Sequence, residues 1–273
     1  MWSVKGKNAL VTGAGSGIGK ALALELAKRG ANVGVTDVAA QRIESLVPEL
    51  AALGVKARAY VSDQGDKDAV AALHEDYIRD FGRADVLCAN AGVAAGGSVQ
   101  DLLDEDWERT LAVNLWGPIH LVRRFLPQMI ENRSGGILIT ASIAGLAAIP
   151  GLAPYNTSKF AMVGFAETLH CELARYGIHV CALCPGIINT NIVAESTARL
   201  DGNPGVHDRM VKFYATWGAD PAKVAKDGLK GLAKNRCVQP SPMHGRAMAL
   251  GKRFFPGTWL RLSKLGWKKG LAV

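Results

Sequence analysis

Short apolar runs alternate along this chain with longer segments of helical periodicity, and that alternation limits the folds open to it more than any other feature. Runs of strand character cover Asn8–Thr12, Asn32–Thr36, Lys56–Val61, Asp85–Ala89, Gly136–Ala141 and His179–Leu183. Between them the spacing predicts helices over Gly19–Arg29, Gln41–Leu53, Lys67–Phe81, Asp104–Asn132 and Pro154–Tyr176, the last holding Gly164, which a helix tolerates. Strands apolar on both faces belong to a parallel sheet covered on both sides. Repeated strand–helix–strand units wind such a sheet doubly, so the expected fold class is a doubly wound, Rossmann-type α/β sheet. There is no tandem repeat and no Pro/Ser-rich linker. One domain over residues 1–243 is expected, followed by an extension over 244–273.

Charge sets that extension apart. Of 32 basic and 24 acidic residues, ten bases and no acid lie after Asp227, so the body is near neutral and the net charge of +8 belongs to the C-terminal end. An apolar content of 49% excludes a disordered chain. Five cysteines, an odd number, argue against a disulfide framework and for a reducing, cytoplasmic setting. The opening Met-Trp-Ser-Val-Lys-Gly-Lys has no apolar signal core. Ser134–Ser158 carries no charge over the length of a membrane span. However, Gly135, Gly136, Gly145, Pro150, Gly151 and Pro154 break it into a strand, a loop and a helix start.

The first strand runs into Thr12-Gly13-Ala-Gly15-Ser16-Gly17-Ile18-Gly19 and then a helix. Gly13 allows the tight turn, Gly17 removes a Cβ that would block a pyrophosphate, and Gly19 brings helix and strand together. The free N–H groups and the helix dipole then face an anion. Asp37 ends the second strand, 18 residues after Gly19, where a carboxylate can accept both ribose hydroxyls and repel a 2′-phosphate. Lys20 and Arg42 are the nearest cations in sequence, so the pattern favours NAD over NADP. Capping of the next helix is the alternative role for Asp37. Asp63, after the third strand, is a candidate for the adenine edge or, equally, a helix cap.

Tyr155 and Lys159 lie four apart at a helix start and share one face. A phenol at its reference pKa of about 10 is a poor base at neutral pH, and a fixed ammonium is expected to lower it. Ser142 follows the preceding strand, where side chains project into the crevice of an open α/β sheet. By itself Tyr-x-x-x-Lys is an ordinary helix pair. The wider set of Thr12–Gly19, Asn90-Ala91-Gly92, Asn114, Ser142, Tyr155-Asn-Thr-Ser-Lys159 and Pro185-Gly186 resembles the short-chain dehydrogenase/reductase family over about residues 5–240.

The resemblance implies a sheet of about seven parallel strands, a nicotinamide cofactor and a catalytic tetrad of Asn114, Ser142, Tyr155 and Lys159. It implies that Tyr155 moves the alcohol proton, Ser142 holds the reacting oxygen, Lys159 grips the nicotinamide ribose, and Asn114 holds a water leading to Lys159. Gly13, Gly15, Ser16, Gly17, Ile18, Gly19, Asp37, Asp63, Asn90, Ala91 and Gly92 would bind the adenosine and phosphate side. Pro185, Gly186, Ile188 and Thr190 would pass the carboxamide. A homodimer or tetramer is implied, built through the Asn114 and Tyr155 helices.

Cys181 and Cys184 sit in one strand on opposite faces, so no shared metal is expected. They are read as packing thiols, as are Cys88 and Cys171. The six histidines show no ligand spacing. Asn191–Ala219, with Ile192, Val193, Met210, Phe213, Tyr214 and Trp217, is expected to form a substrate lid. Its lack of clustered charge points to an apolar lipid-, steroid- or retinoid-like substrate. In the tail, Pro256-Gly257-Thr258 starts a helix with Trp259, Leu262 and Leu265 on one face and Arg261, Lys264 and Lys268 on another; Trp267 and Leu271 add to its apolar content. Such a helix reads as a peripheral membrane contact or as a face packed on a neighbouring subunit, with nucleic acid excluded for lack of a recognition module. The expected activity is NAD-dependent hydride transfer with a secondary alcohol or ketone. The alternative is a membrane-recruited NAD(H)-binding scaffold or sensor with little catalysis.

Overall fold

The apolar runs pair side by side as parallel strands. In the computed structural model, which describes residues 2–199 and 205–268, β1 (Asn8–Thr12), β2 (Asn32–Asp37), β3 (Ala57–Val61), β4 (Val86–Ala89), β6 (Gly135–Thr140), β7 (Ile178–Pro185) and β9 (Val238–Ser241) form one sheet in the order 3-2-1-4-6-7-9. Every pairing in it is parallel. Chain order reverses between β1 and β4, which opens a crevice at the carboxyl ends of these strands. The seventh strand, β9, carries Pro240 and lies at the sheet edge, where a missing N–H is tolerated.

Alternate strand residues feed two cores. Ala9, Val11, Val33, Val35 and Cys88 pack under α1 (Gly17–Lys28), α2 (Ala40–Ala51) and α8 (Pro221–Ala233). Leu10, Leu87, Ile137 and Ile139 face α3 (Lys67–Phe81), α5 (Gly117–Glu131) and α6 (Ala153–Leu173). Burying a Leu or Ile side chain in this way contributes about 1.5–3 kcal/mol each. Asp66 caps α3 by accepting the N–H groups of Asp68 and Ala69, so the helix-cap alternative for Asp63 does not apply.

The segment Asp104–Asn132 is not one regular helix. α4 (Asp104–Leu111) passes through a π-helical turn at Ala112–Trp116 before α5 begins. Gly117, just after the turn, lies against the Gln64 carbonyl, which a Cβ would approach to 2.4 Å. A π turn adds a residue to the helical repeat, so it shifts which side chains face inward. Here Asn114 is turned into the interior and is 1% exposed.

Two short strands outside the main sheet, β5 (Ala95–Gly97) and β8 (Thr197–Arg199), pair in parallel. They fasten the segment after β7 across the crevice. That segment continues through α7 (Val206–Trp217). The basic end of the chain forms α9 (Met243–Phe254) and α10 (Pro256–Lys268); Leu271 lies outside the described residues. Among the described residues no helix is long and apolar enough to cross a membrane. The uncharged stretch Ser134–Ser158 resolves into β6, a 3-10 turn at Ile143–Gly145 and the first turns of α6.

Candidate active site

A cleft of about 700 Å³ opens at the carboxyl ends of β1, β4 and β6. At one end lies the Gly-rich turn. Gly13 has φ +61°, and a Cβ there would fall 2.7 Å from Ala91 Cα. At Gly19 it would fall 1.9 Å from the Gly13 carbonyl oxygen, so only glycine lets α1 start this close to β1. Ser16 is the N-cap of α1 but makes no side-chain cap bond, and the first turn holds no acid. The N–H groups there remain available to an anion, and the cradle fits the pyrophosphate of a dinucleotide. Ser16, Gly17 and Ile18 line the cleft, and Thr190 closes over the turn, with its Cγ2 at 2.9 Å from where a Gly17 Cβ would stand.

Asp37 also lines the cleft. Its Oδ2 accepts from Gly15 N at 2.9 Å and its Oδ1 from Ala39 N at 3.0 Å. The carboxylate therefore ties the end of β2 to the Gly-rich turn instead of serving only the next helix. Both nearby cations are engaged: Lys20 pairs with Glu49 and Arg42 with Glu195, each at 2.8 Å. Asp63 lines the same end, accepts from Gly65 N at 2.8 Å and pairs with Arg109 at 2.9 Å.

The middle of the cleft is stitched by Asn90. Its side-chain amide donates to Thr12 O and Gly13 O, and its Oδ1 accepts from Thr140 Oγ1 at 3.0 Å. One residue thus joins the ends of β1, β4 and β6. Ala91 and Gly92 follow and line the wall. Asn114 Nδ2 donates to Val93 O at 2.9 Å and to Ser158 Oγ at 3.2 Å, while its Oδ1 accepts from Val93 N at 2.8 Å. Its side chain thereby clamps the Val93 backbone, in the loop after β4, against α6.

At the far end Ser142, Tyr155 and Lys159 converge. Ser142 follows β6 as the cap of the 3-10 turn and accepts from Ala144 N at 3.1 Å. Lys159, 3% exposed, donates to Thr140 O at 2.9 Å, and its Nζ stands 5.5 Å from the Tyr155 ring centre. The expected acidified phenol is corrected here. Burial pushes Tyr155 up to about 12, with the Ser142 hydroxyl opposing it. Burial likewise pulls Lys159 down to about 8. Desolvation of both groups outweighs the attraction between ammonium and phenolate in the protein alone.

Beyond them β7 ends at Pro185. Gly186 N donates to Ser241 O, and Ile187 N donates to His244 Nε2 at 3.0 Å. His244 packs so closely that a Cβ on Gly186 would meet its Nε2 at 2.6 Å. This histidine, 57 residues from its partner, gave no signal in the sequence. Ile188 is buried and, with Pro185 and Gly186, lines the cleft. From the segment after β7, Ile192, Val193, Met210 and Tyr214 also line it, whereas Phe213 and Trp217 are exposed.

The tail helix also meets the body of its own chain. Trp259, Leu262, Ser263, Gly266 and Trp267 of α10 line this chain's own cleft. Leu265 does not share that face and is exposed. Cys88, Cys181 and Cys184 are buried and held high by desolvation, Cys184 at about 12. Cys171, expected to pack, is exposed instead, because it falls on the outer face of α6. Among the described residues no cluster of His, Cys, Asp or Glu is placed to hold a metal ion.

Comparison with known proteins defines the class. The short chain dehydrogenase family model matches residues 7–201. The chain is 32% identical to the Mycobacterium tuberculosis protein SadH, named an oxidoreductase, over 273 residues covering 97% of both chains. It is 35% identical over 239 residues to EphD of the same organism, also named an oxidoreductase, which is 84% of this chain but only 40% of EphD. A crystal structure of a short chain dehydrogenase/reductase from Burkholderia phymatum in complex with NAD superimposes with a TM-score of 0.80 at 30% identity, covering 88% of this chain and 90% of that one. The protein belongs to the short-chain dehydrogenase/reductase family and has its nucleotide-binding, Rossmann-type fold.

Proposed function

We propose that the protein carries out NAD-dependent hydride transfer between a nicotinamide and an apolar secondary alcohol or its ketone. The observation that carries this reading is the meeting of Ser142, Tyr155 and Lys159 at one end of a cleft whose other end is the Gly-rich turn and Asp37. A bound nicotinamide dinucleotide supplies the hydride acceptor for an alcohol, or the hydride donor for a ketone. Tyr155 Oη takes the hydroxyl proton as the C–H hydride departs, and returns it to the oxygen in reduction. Ser142 Oγ donates to the reacting oxygen and favours ionised Tyr155. Lys159 is fixed on Thr140 O, where its ammonium would hold the ribose of a bound dinucleotide and offer the phenol a proton path. Asn114 positions Val93 beside them.

The substrate half is walled by Ile149, Leu152, Ile192, Val193, Met248 and Trp267. An apolar lining of this kind favours a lipid-like or ring substrate. Incubation with NAD⁺ and a panel of apolar secondary alcohols, followed at the NADH absorbance, tests the reading. Tight NADH binding with no turnover on any member of the panel would instead favour the scaffold or sensor role. A homo-oligomer fits the exposed Trp116 and Phe160 near Asn114 and Tyr155.

Asp37 supports the choice of NAD, because it leaves a 2′-phosphate facing a carboxylate while Arg42 and Lys20 are occupied. Asp37→Ala is expected to shift the NAD-to-NADP ratio of kcat/KM toward NADP by roughly ten- to a hundredfold. An unchanged ratio would remove Asp37 from cofactor selection. Ser142 opposes the burial of Tyr155, so Ser142→Ala raises the phenol further. The alkaline limb of the kcat/KM profile for oxidation, which rises as the phenol ionises, should move to higher pH in this variant. A limb that stays in place would separate Ser142 from Tyr155 ionisation.

A further inference from the structure

The corner between α9 and α10 presents two adjacent aromatic rings to solvent. Phe254 ends α9 and Phe255 follows it, each 67% exposed. Lys252 and Arg253 directly precede them and Pro256 turns the chain into α10. Exposed Leu250, one helical turn before Phe254, extends the apolar stripe along α9. On α10 the inner face lines the cleft, while Leu260, Arg261, Lys264 and Leu265 are exposed on the outer one. Among the described residues Lys252, Arg253, Arg261 and Lys264 form no ion pair, and the chain has no acid after Asp227 to supply one.

Water-facing Phe and Leu in this density mark a contact surface. The charge decides the partner. A two-fold contact centred on this corner would bring Lys252 and Arg253 of both copies together, with no acid in the segment to separate them. A nucleic acid would neutralise the cations, and a base could stack on Phe254, but it would leave aliphatic Leu250, Leu260 and Leu265 with nothing apolar to enter. A bilayer with anionic headgroups satisfies both sets at one depth: phosphate and carboxylate at the surface, acyl chains just below.

We propose that the α9–α10 corner docks on an anionic lipid bilayer, with Phe254 and Phe255 at the acyl boundary and Lys252, Arg253, Arg261 and Lys264 among the headgroups. Docked in this way, α10 separates the membrane from the substrate cleft by the width of one helix. The contact itself is independent of the reaction proposed above, since it needs neither cofactor nor turnover.

Co-sedimentation of the full chain with vesicles of phosphatidylcholine, alone or mixed with phosphatidylserine, tests this. Binding is expected to the mixed vesicles only and to fall as salt is raised. The double variant Phe254→Ser/Phe255→Ser should lose most of it, and Lys264→Glu should weaken it about tenfold or more. These positions are exposed and outside the site, so NADH binding by each variant serves as the folding control. Equal sedimentation without lipid, binding that survives the double Phe variant, or binding indifferent to phosphatidylserine would overturn the proposal. Self-association that needs Phe254 but not vesicles would assign the corner to a second copy, and retention by DNA or RNA alone would assign it to nucleic acid.

Discussion

Tyr155→Phe is expected to lower turnover by roughly 10²- to 10⁴-fold while leaving NADH affinity almost unchanged. The substitution removes one oxygen and keeps the ring, which lies beneath the Lys159 ammonium in α6. In the proposed site the dinucleotide would rest mainly on the Gly-rich turn, Asp37 and the Asn90 segment, whose hydrogen bonds do not involve that oxygen. Steady-state rates and a fluorescence titration with NADH separate the two effects. A Phe variant with near-normal rates would overturn the proton-transfer role, and one that has lost NADH binding would show that the ring is structural. Because burial holds Tyr155 near 12, oxidation of alcohols should speed up as pH rises, whereas reduction of ketones, which uses the protonated phenol, should change little with pH below about 10.

Lys159→Met should abolish activity and change how stability depends on pH. Burial lowers the folded-state pKa of Lys159 to about 8, from 10.5 in the unfolded chain. Below pH 8 both states carry the proton, and the folded protein bears the full penalty of a buried ammonium. Between about 8 and 10.5 the unfolded chain holds a proton that the folded one has released, so this residue's contribution makes stability rise with pH. The shift corresponds to roughly 3 kcal/mol. Met fills a similar volume without charge, so the difference in unfolding free energy between variant and wild type should shrink by about that amount across this window. Taking the difference cancels the other titrating groups, such as Tyr60 and Tyr77, which burial moves the opposite way. A difference that is flat with pH would mean that Lys159 is not desolvated as its surroundings indicate. Partial loss of the Thr140 hydrogen bond offsets the gain at low pH, so the slope is the decisive reading.

Regular elements were legible wherever local pattern and packing agree. Asn8–Thr12 and Lys67–Phe81 have the same bounds in sequence and structure, because apolar runs and 3.6-residue periodicity are read within one segment. The π turn at Ala112–Trp116 was not legible. It runs directly into Gly117, which packs on the Gln64 carbonyl more than 50 residues away, a contact that no local pattern shows. β9 was missed because Pro240 makes it look unlike a strand, and only its place at the edge permits it. Cys171 and Leu265 were assigned to the wrong face for a related reason: periodicity says which residues share a face, not which face meets a neighbour.

The amino-acid sequence alone pointed to the family and to a doubly wound parallel sheet, and it named many of the residues that line the cleft. Those features depend on short-range rules, namely where glycine must replace a side chain and where two residues lie one helical turn apart. Tertiary structure decided the electrostatics and the walls. It showed that desolvation raises Tyr155 and lowers Lys159, that Lys20 and Arg42 are already occupied, that His244 supports Ile187, and that α10 folds back over its own cleft. Each of these depends on burial or on charges brought close by the fold, and neither quantity is defined until distant segments have packed.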